Sequence, residues 1–244
     1  MTEKLTGVLH LIPVALNGEN AQEVLPESVI GIARQLTYFL AENEKSARHF
    51  LQTIKHPLPL RQLEIKCFDQ HADAALAEHL LLPVQAGRSA GLLSEAGCPA
   101  IADPGALLIE IAHRCGLRVI PHVGPSSLLL ALMASGCNGQ RFQFHGYLPV
   151  ARGECRVKLR LLERESRTHN RTEIFIETPH RSGALLKTLL ETCADSTRLC
   201  VATDLTLPTE SVRSMVVEKW KKQQQGIGKA PSVFLLYASH TACN

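Results

Sequence analysis

Between residues 7 and 121 short apolar runs alternate with amphipathic stretches, and this alternation restricts the possible fold more than any other feature of the chain. Gly7–Pro13 (GVLHLIP), Leu36–Leu40, Leu63–Phe68, Ser89–Ser94 and Leu117–Pro121 are predicted strands. Glu44–Ile54, Ala72–Leu82 and Leu107–Cys115 are predicted helices, the last stopped by Gly116. Strands separated by helices imply a largely parallel sheet covered on both faces. After Gly136 the pattern changes. QRFQFHGYLP, RTEIFIETP, TRLCVATDLT, SVRSMVVEKW and PSVFLLYAS supply about five strands with only two substantial helices between them. The expected fold class is α/β with two α/β domains: an N-terminal domain over 1–121 with a parallel sheet, and a C-terminal domain over 122–244 with a mixed sheet. A ligand is expected in a cleft between them.

Composition removes several classes. With 45% hydrophobic residues in 244, the chain can bury a sizeable core, so disorder is excluded. No run of about 18 apolar residues is present, and MTEKLTGVLHLIPV lacks the form of a secretory signal, so a soluble cytoplasmic protein without membrane association is expected. The eight cysteines, from Cys67 to Cys243, include no CxxC pair and read as reduced thiols; the 11 histidines include no HExxH, so no metal site is expected. A net charge of +3 excludes a histone-like binder but allows a local basic face.

In a parallel sheet, ligands bind beyond the carboxyl ends of the strands. At one such end lies LLSEAGCPAIADPG, Leu92–Gly105, whose glycines permit close backbone approach, whose prolines stiffen it, and whose Glu95 and Asp103 can accept hydrogen bonds. The competing reading is that Asp103 caps the following helix and Glu95 is solvated. A second loop, VIPHVGPSSLLLAL, turns at Gly124, with Pro125 suited to a first helical turn and Ser126 and Ser127 placed either to hold an anionic group or to cap. There is no GxxxxGK[ST], no GxSxG, and no GxG followed by a helix, which argues against NTP hydrolysis, α/β-hydrolase chemistry and the usual NAD fold.

In order, SEAGCPAIADPG, HVGPSS, RFQFHGYLP, FIETPHR and DLTLPTE resemble the tetrapyrrole-methylase-fold (class III) S-adenosylmethionine-dependent methyltransferases, over roughly residues 7 to 238. Within that superfamily the chain is most similar to bacterial enzymes that methylate a cytidine ribose 2′-hydroxyl of small-subunit ribosomal RNA. The resemblance implies a homodimer of two-domain subunits, with S-adenosylmethionine bound between domains and an RNA substrate. It places the cofactor against Leu16 in the Pro13–Gly18 loop, Glu95, Ala96, Gly97 and Cys98, then Ser126 and Ser127. Further contacts fall on Glu177 and Thr178, Asp204 and Leu205, and Pro231 beside Ser232. The chain departs from the pattern at PVALNGE, at Glu42-Asn43-Glu44-Lys45, and at Glu95, Val123 and Leu207.

Methyl transfer from a sulfonium is an in-line displacement needing positioning and a suitable local field rather than a metal. A hydroxyl nucleophile gains from a base, and Glu42, Asp103, Glu177 and His180 are the candidates; the sequence chooses none of them. In Ala151–Arg171, seven basic residues (Arg152, Arg156, Lys158, Arg160, Arg164, Arg167, Arg171) face three glutamates, a surplus that suits a phosphate backbone or a solvated face. At 5% aromatic content, no stacking platform for bases is expected. Two alternatives stay open: a methyltransferase of this fold acting on a small molecule such as a tetrapyrrole, and a cofactor-binding protein without catalysis.

Overall fold

The structure, a computed structural model, describes residues 6–223 and 226–239, so Cys243 lies outside the described residues. The chain divides into two compact units, Met1–Ser126 and Ser127–Asn244.

The first unit runs β1 (Val8–Ile12), α1 (Ala21–Val24), α2 (Glu27–Gln35), β2 (Tyr38–Ala41), α3 (Glu44–Thr53), β3 (Glu64–Cys67), α4 (Ala74–Gln85), β4 (Ala90–Leu93), α5 (Ala106–Arg114) and β5 (Arg118–Pro121). Its five strands are ordered β3-β2-β4-β1-β5, and every pairing is parallel. Side chains alternate between two cores. Tyr38, Leu40, Ala90 and Leu92 face α4 and α5 through Leu80, Leu81, Leu108 and Ile111, whereas Phe39, Ala41 and Leu93 face Ile30, Ala33, Phe50 and Leu51. Burial on both faces explains why the strands read as continuous apolar runs. Gly91 belongs to this packing, because a Cβ there would lie 2.9 Å from the Phe39 ring and 3.0 Å from Ile12.

Sequence periodicity missed α1 and α2. Pro26 precedes α2 as its N-cap and no side chain caps it, so the helix lacks the usual start signal and is held by burial of Val29, Ile30 and Ala33. It also ended α4 at Leu82, whereas the helix continues through Pro83 to Gln85. Gly87 (φ +101°) and the bond from the Arg88 amide to the Pro83 carbonyl at 2.9 Å close it.

The second unit runs α6 (Ser127–Ser135), β6 (Phe142–Tyr147), α7 (Arg152–His169), β7 (Thr172–Glu177), α8 (Ser182–Thr192), β8 (Arg198–Thr203), β9 (Ser211–Val216), α9 (Val217–Lys221) and β10 (Ser232–Tyr237). The sheet order is β6-β7-β10-β8-β9; β6 and β7 are parallel and the remaining pairs antiparallel. This is the mixed sheet expected. SVRSMVVEKW, expected to be strand throughout, turns helical at Val217, where Trp220 is 2% exposed and donates from Nε1 to the Leu199 carbonyl at 2.7 Å. One face packs Phe175 and Phe234, stacked at 5.7 Å, against Leu159, Leu162, Leu185 and Leu189. Pro125, expected in a first helical turn, precedes α6 by two residues.

Candidate functional site

In the first unit the loops after β1, β4 and β5 meet at the carboxyl edge of the sheet. Val14 and Gly97 exchange backbone hydrogen bonds, Val14 N to Gly97 O at 2.9 Å and Gly97 N to Val14 O at 3.2 Å, and the Ser94 hydroxyl donates to the same Gly97 carbonyl at 2.9 Å. The Cys98 thiol faces the Pro125 carbonyl at 3.4 Å. Gly97 has φ +76°, and a Cβ there would crowd Leu16 and the Pro125 carbonyl. Gly124 is tighter still: its Cβ would sit 2.2 Å from Cβ of Pro13. These glycines are therefore required by close approach of three strand-end loops.

Beside this junction lies a cavity of about 480 Å³, lined by residues that include Leu16, Asn17, Lys45, Ser46, His49 and Glu95. Of the residues matched to the cofactor, Leu16 and Glu95 line it, and Ala96, Gly97 and Cys98 continue the same loop. Ser126 ends the first unit and Ser127 opens α6 in the second. Sequence reasoning did not single out Asn17, Ser46 or His49. Ser46 donates to Glu95 at 3.3 Å, and the segment Glu42-Asn43-Glu44-Lys45 places it there, because Asn43 caps α3 by accepting from the amides of Lys45 and Ser46. An Asn followed by a helical pattern was the available signal.

The electrostatics of this edge are unusual. Asp103 is pushed up to about 7, first by burial and then by Glu42 and Glu95; Glu42 is raised by burial, Glu95 and Asp69. Among the described residues, Oδ2 of Asp103 is buried without a hydrogen-bond partner. The capping role considered for Asp103 is not found: Gly105 is the N-cap of α5 and no side chain caps that helix. Mutual repulsion of carboxyls holds a negative potential that a cation would relieve.

The second unit gathers its candidates along one sheet edge. In the register of β10, Ser232 pairs with Glu177 on one side and Thr203 on the other, so the ends of β7 and β8 and the start of β10 coincide. Glu177 is 4% exposed, accepts from the Thr178 amide at 2.8 Å and pairs with Arg181 at 2.7 Å. The Ser182 hydroxyl donates to the carbonyls of Thr178 at 2.8 Å and Ala230 at 3.3 Å, tying the Glu177-Thr178 turn to the segment before Pro231. Asp204 accepts from Thr209 at 3.1 Å, and Leu205 is buried. Thr178, His180 and Pro231 are exposed.

Six described non-glycine residues have positive φ, and four of them, Ala100, Ala102, Asp204 and Thr206, lie in these two candidate loops. Each costs on the order of 1–3 kcal/mol, a concentration of strain expected where loops are shaped to hold a ligand. Among the described residues no group of three or more His, Cys, Asp or Glu side chains is arranged to hold a metal ion.

No protein-family profile matches the chain. It is 36% identical over 207 residues to ribosomal RNA small subunit methyltransferase I of Xylella fastidiosa (strain Temecula1), covering 84% of this chain and 71% of that protein. It is 32% identical over 169 residues to the Escherichia coli O157:H7 protein of the same name, covering 68% and 58% respectively. Among solved structures it is similar to diphthine synthase (TM-score 0.67, 14% identity, 95% of this chain and 90% of that one) and to the methyltransferase CobJ (TM-score 0.61, 17% identity, 95% and 94%). At such identities the structural likeness shows the fold.

Proposed function

The chain belongs to the ribosomal RNA small subunit methyltransferase I family, and from that premise we propose that it transfers a methyl group from S-adenosylmethionine to a ribose 2′-hydroxyl of small-subunit ribosomal RNA. The observation that carries the reading is the carboxyl-rich edge of the first unit, where Glu42, Glu95 and Asp103 raise the local cost of negative charge beside a cavity lined by Leu16 and Glu95. S-adenosylmethionine supplies an electrophilic methyl on a positively charged sulfur, and such a cation offsets that cost.

The residues present fit this cofactor. Leu16, Glu95 and the Ala96-Gly97-Cys98 backbone would hold one part of it in the first unit; Glu177, Thr178, Asp204, Leu205 and Pro231, together with Ser126 and Ser127, are the further contacts proposed from the family pattern. The protein's contribution is then orientation and field, since in-line displacement depends on placing the acceptor oxygen behind the methyl carbon. The acceptor's proton must also leave. Glu177 is occupied by Arg181 and Thr178, whereas Asp103 holds a buried oxygen without a partner and titrates near neutrality. Asp103 is therefore the group proposed to take that proton, because a base works best when its pKa lies near the working pH.

A homodimer acting in the cytoplasm, where its RNA is found, completes the reading. Among the described residues no helix is long and apolar enough to cross a membrane. The test is calorimetry with S-adenosylmethionine, followed by transfer of labelled methyl to unmodified small-subunit RNA and mapping of the modified nucleotide. Saturable binding with label on a ribose is expected. Binding without transfer to any RNA would favour the cofactor-binding protein without catalysis, and label on a porphyrinoid alone would favour the small-molecule enzyme.

A further inference from the structure

The basic helix α7 is not evenly neutralised. Arg152 pairs with Glu191, and Arg171 pairs with Glu173 at 2.6 Å and with Glu165 at 3.6 Å. Two of the three glutamates of α7 are also engaged: Glu163 accepts from the Ala194 amide at 2.8 Å and from the Thr197 hydroxyl, and Glu165 pairs within the helix with His169 at 3.1 Å, while Glu154 is exposed in its first turn. Arg160, Arg164 and Arg167 are exposed, and among the described residues none has a carboxylate within ion-pair distance. Spaced three or four residues apart, they rise along the helix about 4.5–6 Å from one to the next. On the same face Val157 is 66% and Leu161 38% exposed, which a merely solvated helix face does not need.

The last turn of α7 borders a second feature. The start of β6, an edge strand, forms with the end of α7 an open cavity of about 450 Å³ lined by Gln140, Arg141, Phe142, His169 and Arg171. Phe142 is 46% exposed, a ring that the low aromatic content did not single out, and Arg141 reaches back to the His169 carbonyl at 3.5 Å. An exposed ring flanked by guanidinium groups and an amide is the equipment for stacking and edge-reading one unpaired base.

We infer that the outer face of α7 and the Arg141–Phe142 corner of β6 form an RNA-docking surface: Arg160, Arg164 and Arg167 track the phosphates of a single-stranded segment, and Phe142 stacks one of its bases. The inference rests on the RNA reading above but concerns residues outside the proposed cofactor contacts. Charge argues against a second copy of the chain as occupant, because a two-fold interface would set this arginine row against itself.

The test uses the full chain with a fluorescein-labelled stem-loop RNA carrying a single-stranded flank. Affinity is measured by anisotropy across a salt series for the wild type, an Arg160→Gln/Arg164→Gln/Arg167→Gln variant and Phe142→Ala. Because each phosphate contact on a single strand contributes about 0.7 to the slope of log affinity against log salt, the triple variant should lower that slope by about 2. Phe142→Ala should weaken binding about tenfold with the slope unchanged. S-adenosylmethionine affinity should match the wild type in both, which establishes that they are folded. A triple variant with the wild-type slope overturns the surface while leaving the enzymatic reading intact. Wild-type protein that binds no RNA overturns both, and a triple variant altered in sedimentation rather than in RNA affinity reassigns the face to self-association.

Discussion

Replacing Asp103 by Asn should make the protein more stable and less active, with both effects tied to one buried oxygen. Asp103 ordinarily titrates at 3.8 and is pushed up to about 7 by burial and by Glu42 and Glu95. Below pH 3.8 the carboxyl is neutral in both folded and unfolded chains. Between 3.8 and about 7 the folded chain holds a proton that the unfolded chain has released, so this group's contribution to stability falls as pH rises and is fully lost above 7. For a completely buried group the accumulated cost is on the order of 4 kcal/mol; partial solvent access to Asp103 reduces it to about 1–2 kcal/mol. Asn keeps the shape without the charge, so the stability difference between variant and wild type should grow from about pH 3.5 to pH 8 by about 1–2 kcal/mol. Urea unfolding followed by circular dichroism measures it. The single tryptophan, Trp220, lies in the second unit, so a transition seen by dichroism but not by Trp220 fluorescence belongs to the first. Methyl transfer should fall by about 10²–10⁴ if Asp103 takes the proton. Parallel pH profiles for the two proteins would refute the electrostatic argument, and undiminished turnover would refute the catalytic one.

Glu95→Ala should weaken S-adenosylmethionine binding while leaving the fold intact, because among the described residues the exposed carboxylate is hydrogen-bonded to Ser46 alone; unchanged affinity by calorimetry would remove Glu95 from the site. Gly124→Ala should destabilise the first unit by about 2–3 kcal/mol, since the rigid Pro13 ring must move to admit the methyl; a thermal melt within error of the wild type would contradict the close approach. Glu173→Ala should destabilise the second unit by about 3 kcal/mol: the residue is fully buried and holds both His145 and Arg171 at 2.6 Å, and its loss leaves Arg171 only the longer pair with Glu165 at 3.6 Å among the described residues. Denaturant titration followed by Trp220 fluorescence reads this directly.

Much of the fold was legible in the sequence because both faces of the first sheet are buried. Strands such as YFLA and AGLL then need no polar alternation and stand out as apolar runs between helical stretches. Elements without a local signature were missed. The helix Glu27–Gln35 has no side-chain cap, and Val217–Lys221 follows a strand without a break; burial of Ile30 and of Trp220 holds them in place, and burial is a property of the folded chain. The loop 92–105 announced itself through glycines, prolines and carboxylates, yet the sequence left Asp103 between capping and ligand contact.

By itself the sequence determined the layered α/β class, the positions of the strand-end loops and the family pattern across them, because period, turn chemistry and motif order are local properties of the chain. The tertiary structure decided which groups share an environment. Only when the loops after β2 and β4 converge do Glu42, Glu95 and Asp103 feel one another, and only when α7 packs by its Leu159–Leu162 side does Glu163 meet Ala194 and Thr197 while Arg160, Arg164 and Arg167 face solvent. Charge interactions fall off with distance through space, and distance through space is what folding sets.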